Sequence, residues 1–237
     1  MLIVLAALIA IAAAGAQVPL LKPFSDQPTG AGTPRGWSIV SFRNKPRQTR
    51  YELVRDGEAV VMRAQASASA AALVHKLDIP LQEAAVLHWR WKIARLLDKS
   101  DIRRKSGDDY PARVYVTFAL DPRASWAERL KYRTAQLIYG SELPFSALNY
   151  VWDTRAPVGT SVGNAYTERV RMLVLESGAA RLGEWVEERR DVHADYRRAF
   201  GTEAPPITGV AIMTDTDDTG ETATAWYGDI ALQALAH

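Results

Sequence analysis

The chain has no cysteine, which removes disulfides, thiolate nucleophiles, zinc–thiolate sites and cysteine-ligated iron–sulfur clusters together. Any metal must be held by Asp, Glu, His or carbonyl oxygen. Histidine is scarce, with 4 residues and no His-x-x-x-His pair, and no glycine-rich phosphate loop opens a helix. The sequence therefore offers no motif for zincin-type proteolysis or nucleotide chemistry. No Asn-x-Ser/Thr sequon occurs. An excess of one charge is missing as well: 29 Lys and Arg stand against 27 Asp and Glu, and a net charge of +2 argues for no nucleic-acid partner. What the 237 residues do hold is 48% hydrophobic side chains, with 7 Trp and 9 Tyr beside 5 Phe. That surplus of rings with polar tips suits half-wet surfaces as well as cores.

Met1 to Ala16 carry no charge, and Leu2 to Ala14 are unbroken Leu, Ile, Val and Ala. The run has the length of a signal-peptide apolar region, Ala14-Gly15-Ala16 supplies a small-x-small cleavage pattern, and Gln17-Val18-Pro19 ends it short of a bilayer span. No basic residue precedes it, so an uncleaved anchor and a buried helix stay open as alternatives. The expectation is a signal peptide over residues 1–16, a periplasmic or secreted location, and no transmembrane segment after cleavage.

From Pro19 to Pro34 the chain reads as an extended leading segment, and short alternating runs follow. Strands are expected at 37–42, 50–54, 58–64, 86–93, 113–120, 168–176, 185–190, 209–214 and 222–232. In 86–93, Leu87, Trp89, Trp91 and Ile93 share one face and His88, Arg90 and Lys92 the other; in 113–120, Val114, Val116, Phe118 and Leu120 oppose Arg113, Tyr115 and Thr117. Helical spacing appears at 123–139, and a short helix at 191–200 ends at Gly201. No repeat or composition shift divides the chain. The fold class expected is all-β, a two-sheet antiparallel sandwich of jelly-roll type with one inserted helix, as a single domain over 17–237.

Met213 to Glu221 lie between two expected strands. Asp215, Asp217, Thr219 and Gly220 match the start of a calcium loop, but Trp226 occupies the twelfth position, where a bidentate carboxylate is required. An EF-hand is excluded. A β-sandwich-type calcium site at Asp215, Asp217 and Thr219 remains, against a solvated hairpin turn. Asp108 and Asp109 precede the 113–120 strand and suit either a turn or a polar cleft. With Asp215, Asp217, Glu187 and Glu188 they are also the candidates for a carboxylate pair acting on a glycosidic bond. Arg90, Arg113, Tyr115 and Trp185 stand on polar strand faces, where Arg supplies planar donors and the rings a stacking platform. Covering the sheet with long charged side chains is the alternative role. Gly159-Thr160-Ser161-Val162-Gly163 spells a nucleophile elbow, yet Pro157 precedes it and a strand follows it, the wrong context.

Words spread along the chain resemble a family of secreted bacterial proteins, domain of unknown function 3047. They include Pro34-Arg35-Gly36-Trp37, His88-Trp89-Arg90-Trp91-Lys92, Gly107-Asp108-Asp109-Tyr110, Ala112-Arg113-Val114-Tyr115-Val116, Tyr150-Val151-Trp152, Asn164-Ala165-Tyr166-Thr167, Ile212-Met213-Thr214-Asp215-Thr216-Asp217 and Tyr227-Gly228-Asp229-Ile230. Asp218 stands where the family pattern has Asn. The resemblance implies an exported protein whose activity is not established.

Three functions stay in view. The first is a binding module for a carbohydrate or similar polar ligand, through Arg90, Asp108, Asp109, Arg113, Tyr115, Trp185, Asp215 and Asp217. The second is a glycan-acting hydrolase or lyase using paired Asp residues. The third is a structural envelope protein with no ligand, in which the Asp and Arg residues are buried as satisfied pairs. Binding is favoured, because no nucleophile, base and orienting group stand at a recognisable spacing.

Overall fold

In a computed structural model of the chain, described over residues 21–42, 47–81, 85–139 and 144–234, the alternating runs become two packed sheets. The expected signal segment over 1–16 lies outside the described residues. The described residues form two sheets of seven strands each, numbered in chain order. The first has β1 (Gly30–Ala31), β3 (Arg50–Asp56), β4 (Ala59–Ser67), β13 (Thr222–Tyr227), β6 (Ala85–Ile93) and β11 (Val186–Asp191), with β14 (Ala231–Ala234) also on β6. The second has β2 (Ser38–Val40), β5 (Ala72–Leu81), β12 (Ile207–Met213), β7 (Arg113–Phe118), β8 (Ser146–Asp153), β10 (Val170–Ser177) and β9 (Ser161–Gly163). The fold is thus the expected β-sandwich. No helix among the described residues is long and apolar enough to cross a membrane.

The period of two decides which side chains meet. Leu87, Trp89, Trp91 and Ile93 of β6 are buried against Val114, Val116 and Phe118 of β7 and Leu148, Tyr150 and Trp152 of β8. Trp89 stacks on Tyr150 across the sheets with ring centroids 5.3 Å apart, and Trp91 approaches Trp152 at 6.2 Å. Buried rings of this size dominate core energetics.

The differences from expectation have physical causes. β8 reads Ser-Ala-Leu-Asn-Tyr-Val-Trp-Asp and is buried on both faces, so it carries no alternation to detect. Its pairing with β10 is parallel, an exception in an otherwise antiparallel sandwich. β5 contains Pro80, which argues against a strand wherever an N–H is needed. The expected strand over 222–232 is two, β13 and β14, separated at Gly228, whose N–H returns to the Arg90 carbonyl at 2.9 Å. Ser161 opens β9 instead of an elbow. Helix α1 spans Trp126–Tyr139 and α2 spans Val192–Phe200. Asp191 caps α2 by accepting the Ala194 N–H, and Gly201 ends it at φ 72°, in the left-handed region where glycine is unstrained.

The leading segment is not loose. Asp229 Oδ1 accepts the N–H groups of Phe24 and Ser25 at 2.7 and 2.9 Å, and Phe24 and Leu21 are buried in the main core.

At the other margin, Val186, Glu188 and Arg190 of edge strand β11 pair with Trp91, Trp89 and Leu87, so Glu188 points inward beside the tryptophans. Loss of water, and then the charge of Glu176, push its carboxyl up to about 7, against the pull of Arg190 and Arg181. The folded state therefore binds this proton more tightly than the unfolded chain. The stabilisation is complete below about pH 4 and lost as pH rises through about 7. Glu188→Gln is expected to melt above the wild type at about pH 8 and level with it at about pH 4. Thermal melts across that range check this, and an equal difference at every pH would contradict it.

Candidate functional site

Arg113 alternates with the inward Val114, so its side chain leaves the outer face of the second sheet, yet only 3% of it is exposed. The segment between β6 and β7 crosses over it. That segment turns tightly at Gly107, where a Cβ would stand 2.6 Å from the Asp101 nitrogen, and its Ile102 and Tyr110 pack on Val151, Met172 and Val174. A buried guanidinium needs acceptors from every side. Arg113 Nε donates to Asp215 Oδ1 at 2.8 Å while Nη2 donates to Asp215 Oδ2 and to the Asp108 carbonyl. Nη1 reaches the Tyr115 hydroxyl at 3.1 Å and Asp108 Oδ1 at 3.4 Å, and the Tyr110 ring lies 4.4 Å beneath the guanidinium. Asp108 Oδ2 also accepts from Asn164 Nδ2 at 2.8 Å.

The 213–221 run is correspondingly not a solvated turn. Asp215 and Thr216 are buried, and Asp215 exchanges main-chain and side-chain bonds with Tyr110: its N–H donates to the Tyr110 carbonyl at 3.3 Å, and its Oδ1 accepts the Tyr110 N–H at 3.2 Å. One carboxylate oxygen each from Asp109, Asp215 and Asp217 lies within 4.8 Å of the others, two of the residues buried and Asp217 half-buried, a group able to hold a metal ion. Thr219 joins as a donor, its N–H on Asp109 Oδ2 at 2.6 Å. Asp109 Oδ1 is buried with no hydrogen-bond partner. Burial pushes the Asp109 carboxyl up, with Asp217 adding to the rise and the Thr219 N–H and Arg113 opposing it. Burial likewise raises Asp215, against the pull of Arg113, with the neighbouring Asp109 and Asp108 adding to the rise. Asp215 thus belongs both to the Arg113 guanidinium and to the carboxylate group with Asp109 and Asp217, whose mutual repulsion a bound cation would relieve.

Arg90 and Trp185 are elsewhere. β6 and β11 belong to the first sheet and β7 to the second, so Arg90 and Trp185 stand on the opposite side of the sandwich from Arg113, Tyr115 and the Asp residues. The register runs Glu52, Arg63, Trp226 and Lys92 across adjacent strands. All lie opposite to the inward Trp91 and Tyr227, and Trp185 and Trp226 are half-buried there. The Arg90 guanidinium lies 4.5 Å from the Trp185 ring centroid, and Lys92 Nζ lies 4.9 Å from the centroids of both Trp185 and Trp226. Asp56 Oδ2 takes Lys92 Nζ at 2.5 Å and Trp185 Nε1 at 2.9 Å, and the Lys92 bond holds its carboxyl below the usual range. The arrangement is a polar plate with two indole rings, cations between them and a shared carboxylate.

Trp226 and Asp56 were missed as site residues. Trp226 had a signal, since Thr222, Thr224 and Trp226 alternate against Ala223, Ala225 and Tyr227. Asp56 had none, because Asp-Gly reads as a hairpin turn whatever its side chain does next.

The family described as "Protein of unknown function (DUF3047)" matches residues 35–231. No curated protein matches the chain. Similar solved structures include the Emp47p carbohydrate recognition domain (11% identity, TM-score 0.46, 91% of this chain and 95% of that one). A family 12 xyloglucanase from Bacillus licheniformis has 9% identity, TM-score 0.47, and coverage of 87% and 98%. TmCBM61 in complex with β-1,4-galactotriose has 8% identity, TM-score 0.41, and coverage of 92% and 99%. At these identities and scores no ligand, site or reaction carries over from them.

Arg113→Met is expected to cost about 3–5 kcal/mol, the range for breaking a buried pair and stranding its carboxylate. Arg113→Lys should also destabilise, because an ammonium cannot span both Asp215 oxygens. Adding Asp215→Leu to Arg113→Met should recover part of the loss. Urea unfolding measures all three, and a loss below about 1 kcal/mol for Arg113→Met would remove Arg113 as the keystone of this side.

Proposed function

The chain belongs to the family described as protein of unknown function (DUF3047), and we propose that residues 17–237 form an exported β-sandwich domain that binds a carbohydrate or similar polar ligand. The observation that carries the reading is the plate on the outward face of the first sheet, where Trp185 and Trp226 flank Lys92 with Arg90 and Asp56 beside them. Indole rings accept the C–H face of a sugar, and the adjacent Arg, Lys and Asp supply donors and an acceptor for its hydroxyls. Long charged side chains merely covering a sheet would need no pair of half-buried rings among them.

Asp108, Asp109, Arg113, Tyr115, Asp215 and Asp217 serve this reading indirectly. They organise the crossing segment and the 213–221 turn on the other side of the sandwich. Calcium is the cation proposed for Asp109, Asp215 and Asp217, since every side-chain donor is a hard carboxylate oxygen and Asp109 Oδ1 awaits a partner. Its work there is stability, not ligand contact.

A glycan array read with the wild type, Trp185→Ala and Trp226→Ala tests the binding site. Retained glycans should lose about tenfold or more in affinity with either variant, each keeping the wild-type melting temperature to within a few degrees. Binding unaffected by both variants, or absent from the array, would sink the plate as the site. Calcium in about hundredfold excess over its dissociation constant should raise the melting temperature of the wild type by about 5–10 °C and that of Asp109→Asn far less. An unmoved wild type removes the cation.

A further inference from the structure

We infer that a second ligand site lies between the 100–103 loop and the segment joining β8 to β9, and that it takes a neutral polyol the size of one sugar ring. The two segments enclose a cleft of about 350 Å³, within the range that holds small ligands. Ile102, Ala156, Pro157 and Val162 give it an apolar wall, and Asp153 also lines it.

Asp153 is 3% exposed, and its two oxygens differ in kind. Oδ1 accepts the N–H groups of Arg155 and Ala156 at 2.7 and 2.6 Å, which shapes the turn after β8. Oδ2 is buried and has no partner. A buried carboxylate oxygen without a donor costs more than a hydrogen bond is worth, so this atom calls for one from outside the chain. The neighbouring donors are already engaged. Arg155 donates to the carbonyls of Ser100, at 3.1 Å, and Asp98. Arg103 holds Asp101 through Nε and Nη2 at 3.0 and 3.2 Å, and the Thr160 hydroxyl donates to the Pro157 carbonyl at 2.7 Å.

The charges choose among donors. Arg103 and Arg104 pair with Asp101, and the Arg155 guanidinium sits on the carbonyls of Ser100 and Asp98, so an ammonium ligand would enter a region already supplied with positive charge. An anion would bring no donor to Asp153 Oδ2. A hydroxyl group meets the need without net charge, and the C–H face of a ring or polyol fits the apolar wall. This site is independent of the Trp185 and Trp226 plate, and either can fail without the other.

The test titrates the full-length protein with methyl galactoside, methyl glucoside, methyl xyloside and myo-inositol, read by NMR shifts of the Ile102, Ala156 and Val162 methyl groups. At least one probe should bind saturably. Asp153→Asn keeps the turn but makes the free acceptor a donor, and it should weaken that probe about tenfold or more. Val162→Phe should block the cleft without touching Asp153, and Trp185→Ala should leave the affinity unchanged. Binding by no probe overturns the site, as does binding indifferent to both cleft variants. A high-resolution structure that keeps an ordered water on Asp153 Oδ2 with a probe at saturation would also overturn it.

Discussion

One guanidinium, withdrawn from water on the outer side of the second sheet, sets the terms for everything around it. Arg113 cannot lose its charge, so the chain must bring acceptors to it. It does so from Asp108 on the crossing segment, from Tyr115 on the same strand and from Asp215 at the end of β12. Desolvation disfavours each of these charges alone and is offset only when they meet. The crossing segment and the 213–221 turn are therefore held in one arrangement, and the carboxylates of Asp109 and Asp217 are carried into place with them.

The two sides of the sandwich consequently do different work. On the side of the second sheet Asp108, Asp109, Arg113 and Asp215 are covered, and most of their polar atoms have partners within the chain. A structural protein would show the same. On the first sheet Arg90, Lys92, Asp56 and the two indole rings stay at the surface, where their partners are each other and water. An argument for ligand binding belongs on this side, because rings and charges there can exchange partners without exposing a core.

Alternation made β6 and β7 legible, together with the burial of Trp89 and Trp91, since side chains at a period of two must sort by face. It could not say which sheet a strand enters. Arg90 and Arg113 both read as polar-face residues, yet one reaches solvent and the other is roofed by a loop 94–112 that carries no strand signal. β8 was invisible because both of its faces are buried. Asp215 and Asp217 stood out by their spacing, whereas Asp109 joins them only through tertiary contact with a turn more than a hundred residues away. Local pattern shows what a residue is suited to, and long-range closure decides what it meets.

That closure also has an order in time. Phe24 and Ser25 hang on Asp229, and Leu21 and Phe24 fill the same core as Ile230 and Leu232. The beginning of the described chain is thus completed by its end. A chain delivered across a membrane from its amino terminus would meet the Trp37 and His75 partners of Lys22 and Phe24 early, but the Asp229 carboxylate that holds Phe24 and Ser25 only after β13 had followed. In a chain so delivered, the Asp229 clasp on Phe24 and Ser25 would be the last part of this closure to form although those two residues arrive among the first, because its sequence separation exceeds 200 residues.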